Sequence, residues 1–206
     1  MSLATFSASV KIAEAWLSKT DPSLGQLIKN GSALDYSPFN KQPFEALVHA
    51  VIAQQLSVKS AAAIRQRVEA LLPPNDATPE AFSLIKPEQL KQAGLSRAKT
   101  NTLHVLIDFA LSEKNIFNNL HHYPDQDAKQ RLCRLKGIGP WTADIFLMFG
   151  LKRLDIFASG DLGLRKAIQL LNELDALPSP AECDAIAEKW QPYRTIASWH
   201  LWRTID

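Results

Sequence analysis

A glycine-rich stretch between two apolar helical segments has the residue types needed to bind a phosphate. It reads Leu-Lys-Gly-Ile-Gly-Pro-Trp-Thr-Ala from Leu135 to Ala143. Gly137 and Gly139 permit a tight turn and a close backbone approach, and Pro140 suits the first turn of a helix. Because that first turn carries N–H groups without intrahelical acceptors, this hairpin could hold an anion. An ordinary helix–helix turn is the alternative, and Gly-X-Gly alone would favour it.

A single carboxylate at the predicted start of a helix is the second chemical feature. Asp161 lies in the string Ser-Gly-Asp-Leu-Gly-Leu, which is typical of a helix N-cap. A structural cap is the simplest role for such an aspartate. The same position favours the ionised carboxylate, which could stabilise an oxocarbenium-like sugar or help to position water.

The two features together resemble a known family. The string from Leu135 to Ala143 is similar to the hairpin of the helix-hairpin-helix-GPD superfamily of DNA glycosylases. The spacing from Gly139 to Asp161 resembles that of the alkyladenine branch, in which the aspartate is catalytic. The loop before Asp161, Phe-Ala-Ser-Gly, lacks the proline of the superfamily name, and we expect this to change loop stiffness more than chemistry. Trp141 stands where strand-cutting relatives carry a nucleophilic lysine, so the resemblance implies a monofunctional enzyme that uses water.

Further site residues are implied by the resemblance. Trp141 and Trp202 fall at base-pocket positions, and burial in the core is the alternative for Trp141. Trp202 belongs to a C-terminal string that resembles the 3-methyladenine DNA glycosylase II family, Trp-Gln-Pro-Tyr-Arg-Thr-Ile-Ala-Ser-Trp-His-Leu-Trp-Arg. A family-like segment that starts at Phe44 contains the expected DNA wedge, which fills the gap left by a flipped nucleotide. Gln55 is favoured as the wedge and Leu56 is its rival, whereas a helix end that simply buries Leu56 is the structural alternative.

The hairpin is expected to contact the DNA backbone through four residues, which are Lys136, Gly137, Gly139 and Thr142. By position, backbone carbonyls there could hold a monovalent cation, Na⁺ or K⁺, when DNA is bound. The carbonyls in question belong to Cys133, Leu135 and Ile138. No other cofactor is expected. Ser96 and Lys99 are expected to serve helix capping or backbone contact, while Arg194 could either support the loop around Asp161 or reach a phosphate.

Composition sets broad limits on the fold and the partners. The chain has 206 residues, of which 46% are hydrophobic, enough for one compact unit or two small lobes. Its net charge of +2 is only mildly basic and does not establish nucleic-acid binding. Cys133 and Cys183 lack metal spacing, so we expect buried free thiols. Neither a signal peptide nor a membrane span is visible.

The periodic segments of the chain are almost all helical, and strand signals are scarce. The patterns predict a loop over 116–124 and a further helix that starts at Pro140. The other predicted helices cover 6–17, 24–28, 44–55, 58–70, 79–83, 87–93, 98–111, 127–135, 161–174, 181–189 and 193–202.

The sequence thus predicts an all-α protein, and the resemblance implies the two-lobed helix-hairpin-helix-GPD fold with its active site in the interlobe cleft. Residues 1–40 and 151–206 would form the lobe with Asp161, and residues 41–150 the lobe with the hairpin. The expected function is hydrolysis of the N-glycosidic bond of alkylated purines, such as 3-methyladenine and 7-methylguanine, in base excision repair. The expected partner is double-stranded DNA with alkylated bases, bound by a monomer in the cytoplasm or nucleoid of a bacterium or in a eukaryotic nucleus. The alternatives are a catalytically weak or silent lesion-binding module, a glycosylase for another damaged base, and a helical partner-binding protein.

Overall fold

Helices make up the regular structure of this chain in a computed structural model that describes residues 3–35, 39, 41–113 and 116–205. No strand occurs within these ranges, so the all-α prediction is confirmed. The α-helices in chain order are α1 (Leu3–Thr20), α2 (Pro22–Asn30), α3 (Pro43–Ala53), α4 (Val58–Glu69), α5 (Pro79–Ser83), α6 (Pro87–Gln92), α7 (Arg97–Ser112), α8 (Ile116–Asn119), α9 (Asp125–Cys133), α10 (Pro140–Phe149), α11 (Leu162–Leu171), α12 (Pro180–Ala187) and α13 (Arg194–Trp202). Short 3₁₀ helices cover Leu120–His122 and Glu188–Trp190.

The chain divides into two compact units. The terminal unit comprises Met1–Asn40 and Lys152–Asp206, and the middle unit comprises Lys41–Leu151. The terminal unit contains α1, α2 and α11–α13, whereas the middle unit contains α3–α10. Asp161 therefore belongs to the terminal unit and the hairpin to the middle unit.

The core of the terminal unit forms along one face of α1. Phe6, Val10, Ala13 and Leu17 recur at helical spacing, and all four are fully buried. Next to them, Asp21 caps α2 through the backbone N–H groups of Ser23 and Leu24. It also accepts a hydrogen bond of 2.8 Å from the Nε1–H of the buried Trp190. Burial alone would raise the pKa of the Asp21 carboxyl, but the hydrogen bonds from Lys189, Trp190 and Leu24 lower it overall.

The core of the middle unit forms around α3. This helix is apolar on most of its surface and packs against α4, α7 and α10. An aromatic cluster lies beside it, with ring centroids 5.6 Å apart for Phe44 and Phe82, and 6.2 Å apart for Phe117 and Phe146. Since aromatic side chains bury large apolar areas, this cluster provides a rigid base for the segments that follow α3 and α9.

Several local predictions were wrong. Residues 116–122 form α8 and a 3₁₀ helix instead of a loop, because Phe117 and Leu120 are buried in the core and draw the segment into regular structure. The predicted helix 161–174 ends at Leu171, where Glu173 takes a φ of 51° and the Leu174 N–H donates to the Gln169 carbonyl at 3.0 Å.

Another wrong prediction concerns a thiol. Cys133 is exposed at the C-terminus of α9, although both cysteines were expected to be buried. Its position on α9 turns it away from the face that buries Ala128 and Leu132. Cys183 is buried, as expected. No helix in the described part of the chain has both the length and the apolar character to span a membrane.

Candidate functional site

Asp161 is the N-cap of α11, as the sequence predicted. Its Oδ1 accepts the backbone N–H of Leu164 at 2.8 Å, which satisfies one of the donors at the start of the helix. A second donor comes from α13, because Trp202 Nε1 lies 2.9 Å from the same Oδ1. Two hydrogen bonds on one oxygen restrict rotation of the carboxylate. Trp202, predicted as a wall of the base pocket, thus also contacts the candidate catalytic group.

Gly163 makes room for this arrangement, and the sequence analysis missed it. A Cβ at this position would lie 2.9 Å from Asp161 Oδ1, 3.2 Å from Trp202 Cδ1 and 2.8 Å from Ile205 Cδ1. Any larger residue would therefore push the tryptophan and the carboxylate apart. The signal was present in the sequence, since glycine is a poor helix former and its use inside a predicted helix indicates a close approach.

The loop before Asp161 is held by the start of α13. The Arg194 guanidinium binds Asp155 with two bonds, Nε to Oδ1 at 2.8 Å and a terminal nitrogen to Oδ2 at 3.0 Å. Thr195 Oγ1 donates to the Arg153 carbonyl at 2.7 Å and accepts the Ile156 N–H at 3.0 Å. Of the two roles considered for Arg194, the structure shows support of the loop. Asp155, its partner, was not recognised from the sequence.

The hairpin follows the predicted pattern of helix, turn and helix. It joins α9 to α10, and Gly137 adopts a φ of +90°, a conformation that favours glycine. A Cβ on Gly137 would also lie only 1.9 Å from Thr102 Oγ1, so the hairpin packs directly on α7. A Cβ on Gly139 would meet no atom within 4 Å, and Lys136 is exposed beside it. The turn therefore packs on α7 at Gly137 and has space around it at Gly139.

The side chain of Thr142, a residue predicted to contact the DNA backbone, is not exposed. It is only 2% exposed, and its Oγ1 accepts a hydrogen bond of 2.8 Å from Gln54 Nε2. A contact with phosphate would then use its backbone N–H, which lies in the first turn of α10. The contact itself stays a prediction.

The expected wedge residues lie just after α3. This helix was predicted to reach Gln55 but ends at Ala53, because Lys99 Nζ donates to the carbonyls of Ile52 and Gln54 at 2.8 and 2.6 Å. Burial lowers the pKa of Lys99. Gln55 is exposed with a φ of 54°, and Leu56 is 38% exposed. The structural alternative of a buried Leu56 is therefore wrong.

The contacts of Ser96 and Lys99 confirm the roles expected for these two residues, capping and backbone contact. Ser96 is the N-cap of α7, and its Oγ accepts the Lys99 N–H at 3.3 Å.

Trp141 is half-buried at the second position of α10. It is thus not a fully buried core tryptophan, and its base-pocket role stays a prediction.

Two groups of atoms could hold a cation. In the hairpin, the Leu135 carbonyl accepts the Ile138 N–H at 3.0 Å. A carbonyl oxygen has two lone pairs, so this bond leaves a second lone pair on the Leu135 oxygen. The monovalent cation that the resemblance implies at these carbonyls stays a prediction.

The second group consists of side chains in the middle unit. Donor atoms of Glu45, His49 and Glu69 lie within 4.8 Å of one another. Lys41 Nζ is 2.6 Å from Glu45 Oε1, and Arg65 Nε is 3.9 Å from Glu69 Oε1. Burial first, and then the charges of Arg65 and Lys41, lower the pKa of His49 to about 3. Because the protein's own cations already pair with the carboxylates, we describe this group as an ion-pair network around a neutral histidine.

Comparison with known proteins adds an independent finding. The family described as HhH-GPD superfamily base excision DNA repair protein matches residues 48–192. The "Putative DNA-3-methyladenine glycosylase YfjP" of Bacillus subtilis is 32% identical over 183 residues, which cover 84% of this chain and 61% of that protein. The "DNA-3-methyladenine glycosylase 1" of Schizosaccharomyces pombe is 30% identical over 200 residues, which cover 95% of this chain and 88% of that protein. Among solved structures, the S. pombe 3-methyladenine DNA glycosylase Mag1 in complex with abasic DNA matches with a TM-score of 0.85 and 30% identity, covering 93% of this chain and 95% of that chain.

Proposed function

This chain belongs to the HhH-GPD superfamily of base excision DNA repair proteins, and from that membership we propose that it is a monofunctional DNA glycosylase for alkylated purines. The observation that carries the proposal is the carboxylate of Asp161, held at the start of α11 by Trp202 and Leu164. Relatives named as 3-methyladenine glycosylases support the choice of substrate. The expected partner is double-stranded DNA, bound by a monomer.

The reaction needs an anion more than an acid. An adenine alkylated at N3 is cationic in DNA, and so is a purine alkylated at N7. Each is therefore already a good leaving group. As the C1′–N bond breaks, positive charge develops on the sugar, and the Asp161 carboxylate stabilises it. Water then forms the new bond to C1′ and loses a proton to solvent. The products are the free neutral base and an abasic site in an uncut strand.

The residue at position 141 decides between two classes of glycosylase. A lysine there would attack C1′ through its amine and lead to strand cleavage, whereas tryptophan has no nucleophile. An electron-rich indole face can instead attract a cationic base, by about 1 kcal/mol or more when water is excluded. Trp141 and Trp202 are the side chains proposed to select the alkylated base.

The hairpin is proposed to bind the DNA backbone. The N–H groups at the start of α10 and the exposed Lys136 would contact phosphate, and Gly139 leaves space for a close approach. The carbonyls of Cys133, Leu135 and Ile138 would hold Na⁺ or K⁺, which supplies positive charge beside the phosphate when bound.

Base release is the direct test. We would treat duplex DNA with a methylating agent and measure free 3-methyladenine and 7-methylguanine by chromatography for the wild type, Asp161→Asn and Asp184→Asn. Asp184 is an exposed aspartate in the same unit, so it is a matched control for the exchange. We expect release by the wild type and Asp184→Asn. For Asp161→Asn we expect a loss of at least about 100-fold with DNA binding intact.

The other outcomes distinguish the alternatives. Binding of methylated duplex without base release by the wild type would favour a silent lesion-binding module or another damaged base. Absence of DNA binding would favour a helical protein with a different partner. Undiminished release by Asp161→Asn would show that Asp161 is only a helix cap.

A further inference from the structure

A single glutamine links the segment after α3 to the hairpin. The Gln54 Nε2 donates to the Gly137 carbonyl at 3.0 Å and to Thr142 Oγ1 at 2.8 Å. Because a carbonyl can only accept, the amide nitrogen must face Gly137, and both of its hydrogens are used. The partners lie 83 and 88 residues away in sequence, one in the turn of the hairpin and one in α10.

Helix α7 contacts both segments that Gln54 links, the end of α3 and the hairpin. Lys99 and Thr102 are three positions apart and so share one face of the helix. Lys99 Nζ binds the carbonyls of Ile52 and Gln54, which fixes the end of α3. Thr102 lies against Gly137, where an added Cβ would come within 1.9 Å of its Oγ1. Helix α7, the hairpin and the end of α3 therefore form one hydrogen-bonded and packed assembly within the middle unit.

The segment that Gln54 leads into is short and held at both ends. Gln55 takes a left-handed backbone conformation with a φ of 54°, and the Leu56 N–H donates to the Ala53 carbonyl at 3.2 Å. Ser57 then caps α4, with its Oγ accepting the Ser60 N–H at 3.2 Å. Such a turn has few conformations available, so its exposed side chains have a defined position relative to the hairpin.

We propose that Gln54 is a positioning residue that couples the hairpin to the wedge, defined here as Gln55 and Leu56. When the hairpin docks on the phosphate backbone, Gln54 sets where the wedge meets the base stack. Binding to undamaged DNA then depends on the hairpin alone, whereas insertion of the wedge into the stack depends on Gln54. The inference rests on the proposed glycosylase function, since it assigns a step of that reaction.

The test separates binding of the DNA backbone by the hairpin from insertion of the wedge into the base stack. Gln54→Met keeps the length of the side chain and removes both donors. Gln66→Met is the matched control, because Gln66 is an exposed glutamine on α4 in the same unit. For each protein we would measure the Kd for undamaged duplex by fluorescence anisotropy. Insertion is followed by the fluorescence of a 2-aminopurine placed beside a tetrahydrofuran abasic analogue, and catalysis by single-turnover release of base from methylated duplex.

We expect Gln54→Met to bind undamaged duplex within about twofold of the wild type, to lose the 2-aminopurine signal and to release base about tenfold more slowly. A double-mutant cycle adds the readout that a merely structural role would not move. In a background of Gln55→Ala with Leu56→Ala, the change at Gln54 should have no further effect, because there is no wedge left to position.

Several results would overturn the proposal. The proposal is wrong if Gln54→Met inserts the wedge and releases base as the wild type does. It is also wrong if binding of undamaged duplex and base release fall equally, because Gln54 would then support only the hairpin. If Gln54→Met does not unfold cooperatively, Thr142→Val removes one acceptor at nearly constant volume, and unchanged insertion and release in that variant would refute the coupling. A wild type that gives the 2-aminopurine signal but releases no base would instead contradict the proposed function and leave the coupling standing.

Discussion

Replacing Trp202 by phenylalanine would separate two roles that one side chain combines. The indole ring is a predicted wall of the base pocket, and its Nε1–H donates to Asp161 Oδ1 at 2.9 Å. Phenylalanine keeps an aromatic face but has no donor. Trp202→Phe therefore tests the hydrogen bond while most of the stacking surface remains.

The size of the effect follows from the donors on that oxygen. A hydrogen bond to a charged group contributes about 1.5–3 kcal/mol. The lower value applies here, because Asp161 and Trp202 are half-buried and the Leu164 N–H still binds Oδ1 at 2.8 Å. A loss of about 1.5 kcal/mol in the transition state corresponds to a roughly tenfold slower base release.

Single-turnover base release from methylated duplex, with enzyme in excess, measures this step without product release. We expect a roughly tenfold lower rate for Trp202→Phe, with the Kd for abasic DNA within about twofold of the wild-type value. Trp16→Phe is the matched control, since Trp16 is also half-buried in the terminal unit and contacts Tyr193 edge-on. The control should lose some stability and release base at the wild-type rate.

Two results would refute this reasoning. Base release at the wild-type rate by Trp202→Phe would show that the hydrogen bond from Trp202 is not needed to position Asp161. A loss of abasic-DNA binding as large as the loss of rate would show that Trp202 acts through binding of DNA.

Four further changes test the supporting structure. Gly137→Ala should lower the free energy of unfolding by roughly 2 kcal/mol or more, because of its positive φ and the overlap with Thr102. Gly139→Ala should change the free energy of unfolding by less than about 0.5 kcal/mol, yet weaken DNA binding in anisotropy measurements. Equal losses of stability in Gly137→Ala and Gly139→Ala would contradict the different surroundings described for the two glycines. Arg194→Lys should cost about 1 kcal/mol in urea unfolding by losing a two-bonded ion pair, and should slow base release if that pair holds the loop before the carboxylate. Because the folded pKa of His49, about 3, lies below its unfolded value of 6.5, its stabilisation is complete above pH 6.5 and is lost as the pH falls towards 3. His49→Gln should therefore reduce by about 2 kcal/mol the stability lost between pH 7 and pH 5, and an unchanged pH profile would show that His49 is not buried neutral.

The sequence by itself determined the features that depend on near neighbours. Apolar spacing predicted the helices, and the glycines and proline between α9 and α10 predicted the hairpin. Asp161 was recognised as an N-cap because capping involves residues three positions apart. These signals are local, so a single chain carries them without knowledge of its fold.

Only the tertiary structure decided which side chains meet. Trp202 lies 41 residues from Asp161, and Gln54 lies 83 residues from Gly137, yet each pair is joined by a hydrogen bond. The helical pattern of residues 116–122 and the exposure of Cys133 were likewise settled by packing against other helices. A local pattern states which residue types can donate, accept or be buried. The pairing itself is set by the packing of distant helices, which places a donor and an acceptor within bonding distance only when the core around them has formed.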